Sequence, residues 1–475
     1  MSLMQKTYDS IPVSLQEYAL SAWGLYWKWL RLGGDFGSEL TGWKERESWQ
    51  SGRLADHQAL KLRELLALAL ESSEHYPAHW KDHGLTADQV LGIDPSTLEQ
   101  LPVTSRNQFK NRPWSVYNGG QSGQRFSIKR ATSGTTGTPL TVAFSPQVYQ
   151  SAYAAVEARG YNWAGVSVSG RRTTIGARSI VPARQSGPPF WRRNYVESQL
   201  YLSAFHLSPH SAGGYCTALN DFAPEMMTGF SSSHYLLASM IESQDLRVHA
   251  PVAVVPGSDS CEPHMKDKIE SVFGAPVYPL YGMVEQCLLA TTCEQGSLHV
   301  HPDFGIVEIV DNSGRALPPG ETGRIVATGL VNTSSLFIRY DTGDIGSWSG
   351  KRCPCGRDNM PVLESLEGRV EDVVRTPEGR ELTRLDRLFT NLAGIECAQV
   401  VQSEPDTLVI RLMVSAEADR KAMEREMQSR AVSFVGRMNL EFEYVKNIPR
   451  DPNGKFRAVI SQLADRAENQ RSREL

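Results

Sequence analysis

"APVAVVPGSDSCEPHMKDKIESVFGAPVYPLYGMVEQ", residues Ala250–Gln286, reads as strand, helix, strand. Ala250–Asp259 is an apolar run rich in valine that ends in a glycine turn, the pattern of a buried strand. Glu262–Gly274 has helical spacing and is closed by Gly274. Ala275–Gly282 returns as a second strand. Two strands joined by a helix of this length predict a parallel βαβ unit, because parallel pairing needs a long crossover. In such sheets ligands bind beyond the carboxyl ends of the strands. The turns "PGSDS" and "YGMVEQ" sit at those ends.

Outward from this unit, residues 125–300 alternate strand-like and helical segments. The first ~110 residues are largely helical by their periodicity. "LADHQALKLRELLALALESSEHYPAHW" (Leu54–Trp80) reads as one long amphipathic pattern ending near Pro77, Asp94 caps a turn before Pro95, and Thr104 or Ser105 starts another. From 305 to 345, "GIVEIVD", "GRIVATGL" and "LFIRYDTGD" are short strands with Gly/Pro turns, an antiparallel piece. Beyond Gly368, "VEDVVRTPEGREL" and "AQVVQSEPDTLVIRLMVS" read as hairpins, and "EADRKAMEREMQSRAVSFVG" as a charged amphipathic helix. The expected fold is α/β. A large N-terminal domain, residues 1–368, holds βαβ sheets and a small β region at about 290–366. A small mobile α+β domain follows, residues 369–475.

The chain has 475 residues, too many for one core. Its net charge of -4, from 49 basic and 53 acidic residues, does not advertise nucleic acid as a partner. No apolar run approaches the ~18 residues of a membrane span, and the N-terminal stretch lacks the pattern of a secretion signal. Seven cysteines, an odd number, argue against a disulfide scaffold, so a cytoplasmic protein is expected.

Five short stretches have the residue types of nucleotide chemistry. "ATSGTTGTP" (Ala131–Pro139) turns backbone N–H groups and hydroxyls inward, an anion cradle, with a flexible linker as the other reading. It is not a Walker A loop, since no Gly-Lys-Ser/Thr follows Gly137. Glu285, just past a buried strand, is a carboxylate placed to hold magnesium, or a solvated Glu on a loop. Asp344 in "RYDTGD" can accept bonds from two ribose hydroxyls, or merely cap a turn. Arg369, in "GRVEDVV", falls where the composition shifts between domains and can swing a cation toward phosphate. "RDPNGKFR" (Arg450–Arg457) offers Lys455 on an Asn-Gly turn.

In this order and spacing the five motifs resemble the adenylate-forming superfamily of acyl-CoA ligases and adenylation domains, over residues 100–460. "LPVTSRNQF", "SAFHLSP", "MMTGFSSSHYLLA" and "CPCGR" are similar to its phenylacetate–CoA ligase branch, capsule-biosynthesis-type members in particular. The resemblance implies that Ser133, Gly134, Thr135, Thr136 and Gly137 cradle the ATP phosphates. Gly257, Ser258 and Asp259 border the adenine, with Tyr281 and Gly282 beside it. Glu285 holds Mg2+, Asp344 the ribose and Arg369 phosphate or ribose; Glu371 sits at the hinge, and Lys455 bridges carboxylate and AMP oxygens. Phe230, Tyr235, Met283 and Val284 line an acyl pocket suited to an aromatic or hydrophobic acid. Two departures stand out: Val284 replaces the usual Thr or Ser before the motif Glu, and Leu140 stands where many members carry Lys.

"CEQGSLHVH" and "CPCG" add three cysteines and two histidines, His299 and His301, of which the resemblance favours His299. Cys293, His299, Cys353 and Cys355 form a plausible tetrahedral set for a structural Zn2+, against packed, reduced thiols as the alternative.

The expected activity is ATP-dependent activation of a carboxylic acid as acyl-AMP, then transfer to CoA. An amine or a carrier-protein thiol is the alternative acceptor. Rival readings are a nucleotide-binding protein whose catalysis has weakened, for which Val284 speaks, and a metal-stapled interaction protein. A homodimer is left open.

Overall fold

The computed structural model describes the chain except residues 1–2, 110, 121–126, 133–139, 177, 179, 183–184, 370–373, 378–380, 383–384, 390–391, 393, 416, 435–437, 450–456, 462 and 464–475. The N-terminal segment is helical: α1 (Leu3–Ser10), α2 (Val13–Leu32), α3 (Phe36–Glu47), α4 (Ser51–Ser72), α5 (Tyr76–Asp82), α6 (Ala87–Leu91) and α7 (Arg106–Phe109). The pattern expected to run unbroken from Leu54 to near Pro77 is divided. Ser73 Oγ accepts the backbone N–H groups of His75 (3.1 Å) and Tyr76 (3.3 Å), which ends one helix and starts the next. Pro77 falls in the first turn of α5, where its missing N–H costs nothing. Ser105, not Thr104, begins α7, because the Thr104 hydroxyl is buried and donates to the Ile338 carbonyl at 2.9 Å.

Next come two strands, β1 (Ile128–Ala131) and β2 (Thr141–Phe144), paired in register from Ile128↔Phe144 to Ala131↔Thr141. Residues 133–139 lie between them. Ser145 caps α8 (Pro146–Ala155), which continues as a π-helical turn over Val156–Tyr161. The chain then winds a five-stranded sheet from β3 (Arg172–Gly176), β4 (Trp191–Asn194), β5 (Gln199–Ser203), α9 (Pro209–Phe222), β6 (Met226–Gly229), α10 (Ser231–Ser243), β7 (Ala253–Pro256) and α11 (Pro263–Phe273). The strand order is β4-β5-β3-β6-β7, parallel except for the edge strand β4. Apolar residues such as Leu200, Met227 and Val254 pack against the helices in one core, as a sheet covered by crossover helices requires. Gly274 closes α11 with φ 63°, the conformation glycine adopts without strain.

Parallel bridges Val254↔Val277 and Gly257↔Leu280 place the returning strand beside β7. It then passes into a second sheet as β8 (Leu280–Gly282), followed by β9 (Leu289–Thr292), β10 (Leu298–Val300), β11 (Gly305–Val310), β12 (Thr322–Gly329), β13 (Tyr340–Trp348) and β14 (Val362–Arg369). Its order is β11-β12-β13-β14-β10-β9-β8, antiparallel throughout. A large core joins this sheet to α2, α4 and α5 through residues such as Trp27, Leu62, Tyr76, Ile325 and Tyr340.

The C-terminal part holds β15 (Val374–Arg375), β16 (Glu381–Leu382), β17 (Ile395–Glu404), β18 (Thr407–Val414), α12 (Arg420–Phe434), β19 (Asn439–Tyr444) and β20 (Val459–Ser461). Met423, Met427 and Ala431 of α12 share a separate core with Val400, Leu408, Ile410 and Leu412. The architecture is thus mixed α/β, with a large N-terminal and a small C-terminal part.

Candidate active site

The carboxyl ends of β6 and β7 and the strand that follows them open onto one cleft. Gly229 ends β6 at φ 118°, and a Cβ there would lie 2.0 Å from the Ile175 carbonyl oxygen, so only glycine fits. After β7, Gly257 and Ser258 make the turn, with Ser258 at φ 74°. Asp259 then reaches across to the start of α10. It accepts the backbone N–H groups of Ser231 (2.7 Å) and Ser232 (3.1 Å) and the Ser232 hydroxyl (2.6 Å). A carboxylate on these free N–H groups satisfies them and complements the helix dipole, worth about 1 kcal/mol. Asp259 therefore anchors the turn to the helix that begins beside Phe230.

The turn after β8 carries the other polar groups. The Tyr281 hydroxyl donates to Asp344 Oδ2 at 2.7 Å. Burial, then the adjacent carboxylate, hold this phenol well above its ordinary pKa, so it remains a donor. Asp344 lies on β13 opposite Arg369 of β14, which places the ribose candidate and the phosphate-or-ribose candidate on adjacent strands. Glu285 is buried, its Oε1 accepting from the Tyr340 hydroxyl at 3.0 Å and its carbonyl from Asn332 at 3.2 Å. Burial and the Glu285 charge likewise push the Tyr340 phenol far up, fixing the direction of that bond.

Gly257, Ser258, Asp259, Tyr281, Gly282, Glu285 and Asp344 all line a cleft of about 1820 Å³, together with Phe230, Tyr235, Met283 and Val284. Ser133, Gly134, Thr135, Thr136, Gly137, Glu371 and Lys455 lie outside the described residues, as does the Arg369 side chain. The frame of the glycine-rich loop is described. Thr132 N–H donates to the Leu140 carbonyl, and Leu140 N–H to Thr132 Oγ1, both at 2.9 Å.

Several residues in or beside the cleft were not singled out from the sequence. Arg106, within "LPVTSRNQF", donates to Thr132 Oγ1 at 3.0 Å and brings a cation to the loop base. Phe144 of β2 and Tyr149 and Tyr153 of α8 line the same cleft. Their hydroxyls accept from arginines: Tyr149 from Arg130 (3.2 Å), Tyr153 from Arg31 of α2 (3.4 Å). The available signal was an aromatic pair at i, i+4 just after the loop, a spacing that core residues share.

A second cluster joins β9, β10 and the loop before β14. The donor atoms of Cys293, His299, Cys353 and Cys355 lie within 4.8 Å of one another. Cys293 and Cys353 sulfurs are 3.6 Å apart, and Cys355 Sγ is 3.3 Å from His299 Nε2. His299 Nδ1 is 2.8 Å from the Met360 carbonyl, which sets the tautomer that turns Nε2 toward the thiols. His301, the neighbouring candidate, pairs instead with the Thr291 hydroxyl at 2.9 Å.

Comparison with known proteins gives the fold first. The fold is that of the adenylate-forming CoA ligases. A crystal structure of 2-hydroxyisobutyryl-CoA ligase in the postadenylation state, in complex with R3-HIB-AMP, superposes with TM-score 0.67 at 20% identity, over 88% of this chain and 92% of that one. The anthranilate CoA ligase AuaEII, in complex with anthranoyl-AMP, gives 0.51 at 14% identity over 74% and 69%. In sequence, the chain is homologous to CapK and to phenylacetate–CoA ligases. It is 24% identical to protein CapK of Staphylococcus aureus, over 97% of this chain and 100% of that protein. It is 24% identical to a phenylacetate-coenzyme A ligase of Thermus thermophilus, over 70% and 73%. Residues 374–462 match the CapK C-terminal domain family.

Proposed function

We propose that this protein activates a carboxylic acid with ATP and transfers the acyl group to the thiol of CoA. A carboxylate oxygen attacks the α-phosphorus, the bond to pyrophosphate breaks, and acyl-AMP forms. The CoA sulfur then attacks the acyl carbon, AMP leaves with the bonding electrons, and the thiol proton is lost to solvent. The supporting observation is the convergence of Tyr281, Glu285, Asp344 and the Thr132–Leu140 loop frame on one cleft. The curated relatives named phenylacetate-coenzyme A ligase point the same way.

In this reading Ser133–Gly137 cradle phosphate, Arg106 steadies the loop base, and Asp344, held by Tyr281, accepts the ribose hydroxyls. Glu285 and the ATP phosphates would hold Mg2+, which screens charge as the anionic carboxylate approaches. The domain boundary falls after Gly368, with Glu371 at the hinge, Arg369 directed to phosphate or ribose, and Lys455 delivered by the C-terminal domain. The acyl pocket is the apolar wall of Phe230, Tyr235, Met283 and Val284, extended by Phe144, Tyr149 and Tyr153. It suits an aromatic or otherwise hydrophobic acid.

The four-donor cluster fits a structural zinc. Three sulfurs and one imidazole nitrogen with the second ring nitrogen committed to a carbonyl make the preferred donor set, and four protein ligands leave no open position.

The decisive experiment is acid-dependent exchange of labelled pyrophosphate into ATP over a panel of aromatic and aliphatic acids, followed by CoA addition. Acid-dependent exchange with acyl-CoA formed on adding CoA is the expected result. Exchange without any CoA product would move the acceptor to an amine or a carrier thiol. No exchange and no ATP binding would defeat the proposal.

A further inference from the structure

The helix α2 lies with one face inside and one face bare. Gln16, Leu20, Ser21, Gly24, Trp27, Leu30 and Arg31 are buried. On the other side Leu15, Tyr18, Trp23, Leu25, Tyr26 and Trp29 are 50, 66, 47, 60, 47 and 64% exposed. They are six of the eleven exposed large hydrophobic residues among the described ones, gathered on one helix of fourteen steps from first to last. At 1.5 Å per residue the stripe is about 20 Å long. Four aromatics and two leucines half in water offer roughly 600–800 Å², since such rings bury ~150–250 Å² each. That exceeds the largest apolar patch of most monomers, ~300–600 Å². It approaches one side of a standard protein interface, ~800 Å².

The spacing within the stripe is more specific than its size. Leu15, Tyr18, Ala22, Leu25 and Trp29 follow one another at intervals of 3, 4, 3 and 4, the coiled-coil seam. The seam is also self-complementary. Turning a second copy antiparallel about a two-fold axis at Ala22 sets Leu15 against Trp29, Tyr18 against Tyr26 and Ala19 against Leu25, each pair made twice. Leu25 meets the small Ala19, the aromatic and leucine pairs flank it, and the central Ala22 pair allows close approach. Isologous pairing of this kind is the commonest route to a dimer. Exposed charge on α2 is limited to Lys28, whose ammonium turns back to the Val196 carbonyl at 3.4 Å. A helix that binds membrane surfaces carries several cations beside its apolar face, and α2 is not apolar enough to span a bilayer.

We infer that two copies of this chain pair through α2, antiparallel, with Ala22 on the two-fold axis. The inward face of the same helix carries Trp27, stacked on Arg130 at 4.1 Å, and Arg31, bonded to Tyr153. The dimer therefore steadies the helix that backs the cleft, and the pairing stands whether or not the chain activates an acid.

The test is sedimentation of the full chain across a range of micromolar concentrations. A dimer is expected for the wild type and a monomer for Ala22→Glu, with an unchanged circular dichroism spectrum. Ala22→Cys is expected to form a disulfide-linked dimer on mild oxidation, whereas Ala19→Cys, facing Leu25 of the other copy, is not. A wild type that is monomeric throughout overturns the pairing. A dimer that survives Ala22→Glu and is not captured through Ala22→Cys overturns it too. A monomer that co-sediments with phosphatidylcholine–phosphatidylglycerol vesicles would assign the face to lipid, also against the proposal.

Discussion

Val284 stands one position before Glu285, where the resemblance led to an expected Thr or Ser. It is half-buried and packs against the main core beside Met283. A hydroxyl there would contact the adenylate; a methyl instead adds to the apolar wall. If the wall is what the residue serves, Val284→Thr lowers kcat/KM for the best acid of the panel several-fold. Pyrophosphate release measures it, and a several-fold gain would mean that the missing hydroxyl is a defect. Asp303 poses a different problem, because it is buried with two arginines. It accepts from Arg159 at 2.6 and 2.9 Å and from Arg46 at 2.8 Å. Burial raises its carboxyl, but Arg159, with help from Arg46, holds it below the ordinary value. A group depressed in the folded state stabilises above its unfolded pKa, about 4, and loses that contribution as pH falls through the folded value. Asp303→Asn removes the carboxylate opposite Arg159, leaving it the Trp43 carbonyl at 3.1 Å and Glu47 at 3.7 Å, and is expected to cost about 3 kcal/mol. Thermal melts at neutral pH and below pH 4 check both points, and the variant's acid limb should be flatter than the wild type's.

The four-donor cluster works on elements rather than on the cleft directly. Cys293 closes β9, His299 sits on β10 opposite Val362 of β14, and Cys353 and Cys355 precede β14. A metal ion held there would tie three neighbouring strands, and β14 ends at Arg369 while β9 pairs with the β8 strand of Tyr281. Protein purified without added zinc is expected to carry about one equivalent. Cys353→Ser should lose it and speed amide exchange along β9 and β10, whereas metal-free wild type with full protection would end the idea. This cluster was legible because two thiols one residue apart, with a third and a histidine upstream, have few packing reasons to coincide. The βαβ unit of Ala250–Gln286 was legible because its period changes from strand to helix and back at a glycine. The break inside Leu54–Trp80 was not, since it depends on one serine hydroxyl competing for two N–H groups. The cleft wall was only half visible. A buried Phe144 or Tyr149 at the cleft has the spacing of any core aromatic, and tertiary packing alone makes it a wall.

At the scale of the whole molecule, the proposed function asks one cleft to serve two half-reactions. Cys397 of β17 packs among Leu236 and Met240 of α10, so the C-terminal sheet rests on the helix that Asp259 caps. Phe389, Leu392 and Arg457 line the cleft from that side. Lys455 lies two positions before Arg457 in the sequence, which puts a cation within the same segment. In the proposed mechanism adenylation drives an anionic carboxylate against phosphate and needs such a charge; the thiol instead attacks the neutral acyl carbon of acyl-AMP, so no anion is brought against phosphate in that step. Lys455→Ala is therefore expected to abolish acid-dependent pyrophosphate exchange, a loss of two or more decades on the scale of single transition-state contacts. The same variant, given chemically prepared acyl-AMP and CoA, should form acyl-CoA at close to the wild-type rate, with its melting temperature nearly unchanged. Equal loss in both half-reactions would mean that Lys455 supports a single closed form. Wild-type exchange would remove the C-terminal domain from the chemistry of adenylation altogether.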